Sequence, residues 1–188
     1  KKNTLIVLPS ALLHQWEKLI KKFLGCSPLV FHGRNSRMSV DKLKRNNIVL
    51  TTYGMISTRP NKKKWTSKLW DIHWDRVIFD EAHHLRNKMS NKHKGAAKLN
   101  GDIMWFMTGT PIQNSGKDLI SLCKLMGIYD EMLKNSDDTL ERGSTAAANF
   151  VFPGLNKNKN GIEGYFGENG INVVKSNLRT NKNTYLKL

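Results

Sequence analysis

The 188 residues carry 31 Lys and Arg against 15 Asp and Glu, a formal net charge of +16, and no apolar run approaches the roughly 18 residues of a membrane span. The length allows one domain with a real core. Cys26 and Cys123 stand too far apart to suggest a metal cage, no signal peptide is visible, and two lone thiols fit a reducing, intracellular compartment. Residues 1–68 hold 15 Lys and Arg against two acids, whereas residues 69–188 hold 16 against 13. The front is therefore expected to meet a polyanion, because neutralised phosphates release counterions. No membrane partner is expected.

The run Thr4-Leu5-Ile6-Val7-Leu8 predicts a strand broken by Pro9-Ser10. A helix should follow, with Ser10 as N-cap and Leu12, Leu13, Trp16, Leu19, Ile20 and Phe23 as its apolar stripe. Lys18, Lys21 and Lys22 fall on its other face, and Gly25 stops it. Trp16 could stack on a base, but its place in the stripe favours core packing. A short strand is expected over Pro28 to Gly33, with His32 structural, and a helix over Val40 to Lys44. The run Asn47 to Ile56 reads as a third strand and its exit, where the Thr51 and Thr52 hydroxyls could touch phosphate or cap the next helix. Arg59 to Trp65 is a basic loop holding Lys62, Lys63 and Lys64, which is either a phosphate-touching patch, a solvated face or a weak nuclear-import cluster.

Trp70 and Trp74 should pack at the start of a central strand, Val77-Ile78-Phe79, which empties into Asp80-Glu81-Ala82-His83-His84. An all-apolar run predicts a strand covered on both faces, the habit of parallel sheets. Ligands in such sheets lie beyond the carboxyl ends of the strands, where Asp80 and Glu81 fall. Paired carboxylates there suit a hydrated Mg2+ on a nucleotide; the plainer alternative is an acidic turn. A helix is expected over Asn91 to Leu99. A further strand, Ile103 to Met107, runs into Thr108-Gly109-Thr110-Pro111-Ile112-Gln113-Asn114. In that turn Gly109 should free the backbone and Pro111 fix it. A helix from Lys117 to Met126 should bury Leu119, Ile120, Leu122, Cys123 and Met126, with Gly127 as its stop. A zinc site from His83, His84 and His93 lacks supporting spacing.

Asp80-Glu81-Ala82-His83 followed by Thr108-Gly109-Thr110-Pro111-Ile112-Gln113-Asn114 resembles motifs II and III of the Swi/Snf-like ATPases of helicase superfamily two. Leu5 to Glu17 is similar to motif Ia of that family, and Thr51-Thr52 to motif Ib. The resemblance covers roughly residues 4–130. It implies an α/β fold of RecA-like type, a parallel sheet with helices on both faces. It assigns Asp80 to Mg2+ through water, and Glu81 to polarising the water that attacks ATP. His83, Thr108, Gly109 and Thr110 would couple nucleotide state to the nucleic-acid face. Pro9, Ser10, Thr51 and Thr52 would contact the nucleic-acid backbone.

A phosphate-cradling Gly-Lys-Ser/Thr loop is nowhere in the chain; in relatives it precedes motif Ia, so it would lie upstream of Lys1. Residues 1–134 are expected to form part of the first motor lobe. Residues 135–188, rich in Asn, Gly, Lys and Ser, would form a divergent protrusion or flexible tail; Leu178-Arg179-Thr180-Asn181-Lys182 matches a family stretch only loosely. The resemblance implies a double-stranded DNA translocase that uses ATP and Mg2+ to displace or remodel protein–DNA complexes, such as nucleosomes or transcription machinery. A second RecA-like lobe of the same parent would complete it. The parent would act in the nucleus, or at a replication site if viral, since richness in Asn and Lys hints at an AT-rich genome. Residues 80–87 lean toward the branch with ring-type ubiquitin-ligase insertions. The alternatives are a nucleic-acid-binding module without ATPase activity and a strand-separating helicase of the same superfamily.

Overall fold

A computed structural model describes residues 2–61, 66–109 and 116–127, together with the backbone of two strands at 173–177 and 183–187. Seven strands and five α-helices are present among them. They are β1 (Thr4–Leu8), α1 (Leu13–Leu24), β2 (Leu29–Phe31), α2 (Val40–Lys44), β3 (Ile48–Thr52) and α3 (Tyr53–Ile56), then β4 (His73–Asp80), α4 (Asn91–Ala96), β5 (Asn100–Met107), α5 (Gly116–Met126), β6 (Val173–Asn177) and β7 (Asn183–Lys187). Five strands make an all-parallel sheet in the order β2-β3-β1-β4-β5. β7 extends it parallel to β5, and β6 pairs antiparallel with β7. Alternation of strand and helix gives this sheet, because parallel neighbours need a crossover between them.

The sheet is packed unequally. Leu5 and Val7 of β1, Val49 of β3, Val77 and Phe79 of β4, and Met104 and Phe106 of β5 lie in one large cluster with Leu85, Ala96, Leu122, Cys123 and Met126. Phe79 and Phe106 stack there at 4.9 Å. Ile6, Leu8, Leu50 and Ile20 form a smaller cluster, with half-buried Leu12, Leu13, Trp16 and Ile78 around it. β4 is therefore deeply buried through Val77 and Phe79 while Ile78 and Asp80 on its other side are half-covered, so both faces are covered as expected, but unequally. On the same side as Ile78, the Arg76 guanidinium lies 5.7 Å from the Trp105 ring.

Local chemistry sets the element ends. Gly25 takes a left-handed φ of 63° and its N–H donates to the Lys21 carbonyl at 3.1 Å, closing α1 as a glycine cap should. Ser39 and Ser90 cap α2 and α4 by accepting from the Lys42 and His93 amides. Ser10 does not cap: residues 10–12 form a single tight turn, and α1 starts only at Leu13 without a side-chain cap. The expected stripe also narrows. Ile20 is buried, but Leu19 and Phe23 are exposed, so α1 meets the sheet only along the line of Leu13, Trp16 and Ile20. The Cβ that an alanine would place at Gly95 lies 1.8 Å from the Ile56 carbonyl oxygen, so only glycine lets α4 approach α3 this closely. Trp74 is fully buried and donates to the Leu69 carbonyl at 3.1 Å, as expected for a residue packed at the start of the central strand. The basic loop at 62–65, the turn at 110–115 and the boundary expected near residue 134 lie outside the described residues.

Candidate functional site

β1, β3, β4 and β5 run parallel, so their carboxyl ends open on one edge of the sheet. At the centre of that edge, β4 delivers Asp80. Its Oδ1 accepts from the Glu81 amide at 3.0 Å, and its Oδ2 accepts from the Trp16 indole N–H at 2.7 Å. The Tyr53 hydroxyl donates to the Asp80 main-chain carbonyl at 2.6 Å. Burial, then the negative charges of Asp80 and Glu81, hold the Tyr53 phenol well above its usual range, so it remains a neutral donor. The acid is thus held from α1 on one side and from the start of α3 on the other.

Glu81 has φ 53° and ψ 49° and is the one non-glycine residue at positive φ among those described. The left-handed turn swings its carboxylate away from the β4 axis, to within 3.0 Å of His83 Nδ1. The Thr108 hydroxyl, just past the end of β5, lies 3.4 Å from that same nitrogen. Nδ1 can donate to Glu81 or accept from Thr108, but not both in one tautomer. His83 therefore joins the end of β4 to the end of β5 through one shared atom. The His84 ring is 4.6 Å from His83 and 5.1 Å from Tyr53. Its pKa is lowered by burial first, then by the charges of Lys92, His83 and Arg86.

Other expected site residues sit differently. Thr51 is fully buried, and its hydroxyl donates to the Phe31 carbonyl at 2.9 Å. Thr52 is 4% exposed with its hydroxyl 3.2 Å from His32 Nδ1, and it makes no side-chain cap to α3. Both hydroxyls are spent inside the sheet, which corrects the expectation that they face a phosphate: each side chain bonds across to the β2 end. Pro9 and Ser10 form the turn that leaves β1, half-buried and exposed respectively. Gly109 is exposed, no described residue lies within 4 Å of a Cβ added there, and its φ is not positive. Thr110 lies outside the described residues. His93 is 8% exposed and its Nδ1 lies 2.7 Å from the Leu85 carbonyl oxygen, a structural role.

The donor chemistry at the β4 end fits a hard cation. Two adjacent carboxylates are available there, and among the described residues no group of three or more His, Cys, Asp and Glu forms a complete protein cage. Mg2+ characteristically takes one or two carboxylates and completes its shell with water and phosphate. Trp16 and Tyr53 are the two residues that sequence reasoning passed over. Trp16 reads as a packing residue from its position in the stripe, and only the register of α1 against β4 brings its indole N–H to Asp80.

An open parallel sheet with helices on its faces and two acids at the carboxyl end of its central strand is a RecA-like α/β lobe. The SNF2-related domain matches residues 1–141, and the chain belongs to that family. It is 36% identical over 127 residues to transcription termination factor 2 of Drosophila melanogaster, covering 66% of this chain and 12% of that protein. It is likewise 36% identical over 129 residues to the helicase-like transcription factor of Homo sapiens, covering 66% of this chain and 13% of that protein. The chain therefore spans about an eighth of the length of these curated relatives. The Sulfolobus solfataricus SWI2/SNF2 ATPase core in complex with dsDNA shares the fold with a TM-score of 0.55 at 23% identity, over 78% of this chain and 32% of that one.

Proposed function

We propose that this chain is part of the N-terminal motor lobe of an ATP-dependent, duplex-DNA-stimulated translocase that remodels protein–DNA complexes. The observation that carries the reading is the continuous contact from Asp80 through Glu81 and His83 to Thr108 across the ends of two adjacent strands. Asp80 would hold Mg2+ through water, and the metal would supply charge neutralisation on the nucleotide's phosphates. Glu81 orients and polarises the attacking water, its left-handed backbone aiming the carboxylate off the strand axis. His83 exchanges its one contested nitrogen between Glu81 and Thr108 as the site's charge changes. Gly109 and Thr110 belong to the same proposed coupling. The turn at Pro9-Ser10 faces the DNA, supported by the basic excess of residues 1–68.

A second RecA-like lobe and a phosphate-binding loop elsewhere in the parent complete the motor, and the nucleus is the proposed site of action. This chain alone turns over no ATP. The test is ATP hydrolysis by the full-length protein with and without duplex DNA. Glu81→Gln should lower the stimulated rate by about a hundredfold or more, as loss of a general base does, while nucleotide binding persists. A full-length protein that binds duplex but shows no ATP turnover would instead be a DNA-binding relative, and turnover by the isolated chain would refute its proposed dependence on the parent.

A further inference from the structure

We propose that Trp16 is a positioning residue for the metal-holding acid, and that α1 carries the state of the DNA-facing turn to Asp80 through it. This rests on the reading of Asp80 as the Mg2+ acid. Three observations meet here. The Trp16 indole N–H lies 2.7 Å from Asp80 Oδ2, a contact between residues 64 apart in sequence. A donor bound to a carboxylate at this distance makes one of the stronger hydrogen bonds a protein offers, because the acceptor is charged. The remainder of the Trp16 ring packs beside Ile6, Leu8, Ile20 and Leu50, so the indole is braced and cannot follow the carboxylate if it turns.

The second observation is that both Asp80 oxygens are engaged, Oδ1 by the Glu81 amide and Oδ2 by Trp16. Two donors on opposite oxygens fix the plane of the carboxylate. The lone pairs left over are then aimed in set directions, which is what a water-mediated Mg2+ contact requires of its anchor. Thirdly, Trp16 stands one turn into α1, which follows the Pro9-to-Leu12 turn without a break. The turn at Pro9 to Leu12 and α1 are joined directly, so a displacement of the turn that shifts the start of α1 tilts the donor against Asp80. A tryptophan that only filled space in the small cluster would need none of this alignment.

The experiment uses the full-length protein in two forms. Trp16→Phe keeps an aromatic ring and deletes the donor; β-(3-benzothienyl)alanine installed at position 16 keeps the shape of the indole and replaces N–H by sulfur. Mn2+ affinity is read by electron paramagnetic resonance with a non-hydrolysable ATP analogue and duplex DNA present, beside melting temperature and metal-free nucleotide affinity. Both forms should weaken Mn2+ on the order of tenfold, the effect of losing one charged hydrogen bond. The Mg2+ needed for half-maximal hydrolysis should rise by the same factor, with metal-free nucleotide affinity unchanged. Mn2+ affinity held within about twofold in the benzothienyl form would overturn the proposal and leave Trp16 as packing. If the wild-type protein binds Mn2+ and nucleotide but hydrolyses no ATP, the translocase reading fails, and the Mn2+ comparison still decides the role of Trp16. If the wild type shows no Mn2+ site, both fail.

Discussion

The two faces of the sheet are built to different standards. On one, Val77, Phe79, Phe106 and Leu85 are closed off completely beneath α4 and α5. On the other, α1 covers β1 and β3 through Leu13, Trp16 and Ile20 and leaves Ile78 and Asp80 half-exposed. The difference separates two tasks along a single strand. Residues facing the dense side hold β4 in place, and those facing the lighter side are free to present chemistry at its end. Asp80 belongs to the lighter side, which is why a helix whose own packing is modest can still reach it with a hydrogen bond.

That comparison breaks if the two faces of β4 prove equally important for stability. Phe79→Ala should cost about 3–5 kcal/mol, the range for emptying a large core site. Ile78→Ala, from the half-covered side, should cost about 1–2 kcal/mol, because part of its surface already meets water. Urea denaturation of both variants reads the ratio, and similar losses would mean that the lighter face carries more of the fold than its burial indicates. Thr51→Val sharpens the point on β3. The buried Phe31 carbonyl would lose its partner, so about 1–2 kcal/mol of stability should go while DNA affinity of the full-length protein stays unchanged. A loss of DNA affinity at unchanged stability would restore the Thr51 hydroxyl to the phosphate contact.

The smallest effect concerns pH. Burial lowers the pKa of His93 from its ordinary 6.5, with the Lys124 charge acting in the same direction and the Leu85 carbonyl opposing it. The unfolded chain therefore binds more protons than the native one once pH drops below about 7, and stability should decline from there until pH passes beneath the native pKa. Denaturant midpoints at about pH 7.5 and 5.5 should show this slope, and His93→Gln should flatten part of it. His84, also lowered by burial, should account for a further share. A slope unaltered by His93→Gln would assign the whole effect to other groups.

Much of the architecture could be read directly from the residues. β1, the helix at Val40 to Lys44, and the glycine stops at Gly25 and Gly127 lie where apolar period and turn chemistry put them. Such signals are local, and the structure obeys them wherever local preference and tertiary packing agree. What could not be read were relations across the sheet. Leu19 and Phe23 fit a helical stripe perfectly well but meet no sheet beneath them. The two threonines ending β3 look alike in sequence, yet each is claimed by the neighbouring β2 end, Thr51 by the Phe31 carbonyl and Thr52 by His32. Trp16 is the sharpest case: a 3.6-residue period shows which side of a helix turns inward, but not which atom it meets there.

The left-handed backbone at Glu81 restricts the paths by which this site could decay. For a residue with a side chain, that conformation carries a penalty of about 1–3 kcal/mol, and for glycine almost none. Glu81→Gly would thus relax the chain while removing the carboxylate, leaving a protein that melts no lower than before but lacks the acid proposed to polarise water. β-branched replacements would be excluded at the same position because they add strain. If Glu81 plays the proposed role, a lineage released from it would drift most easily toward a sturdier lobe, and stability alone would not reveal the loss.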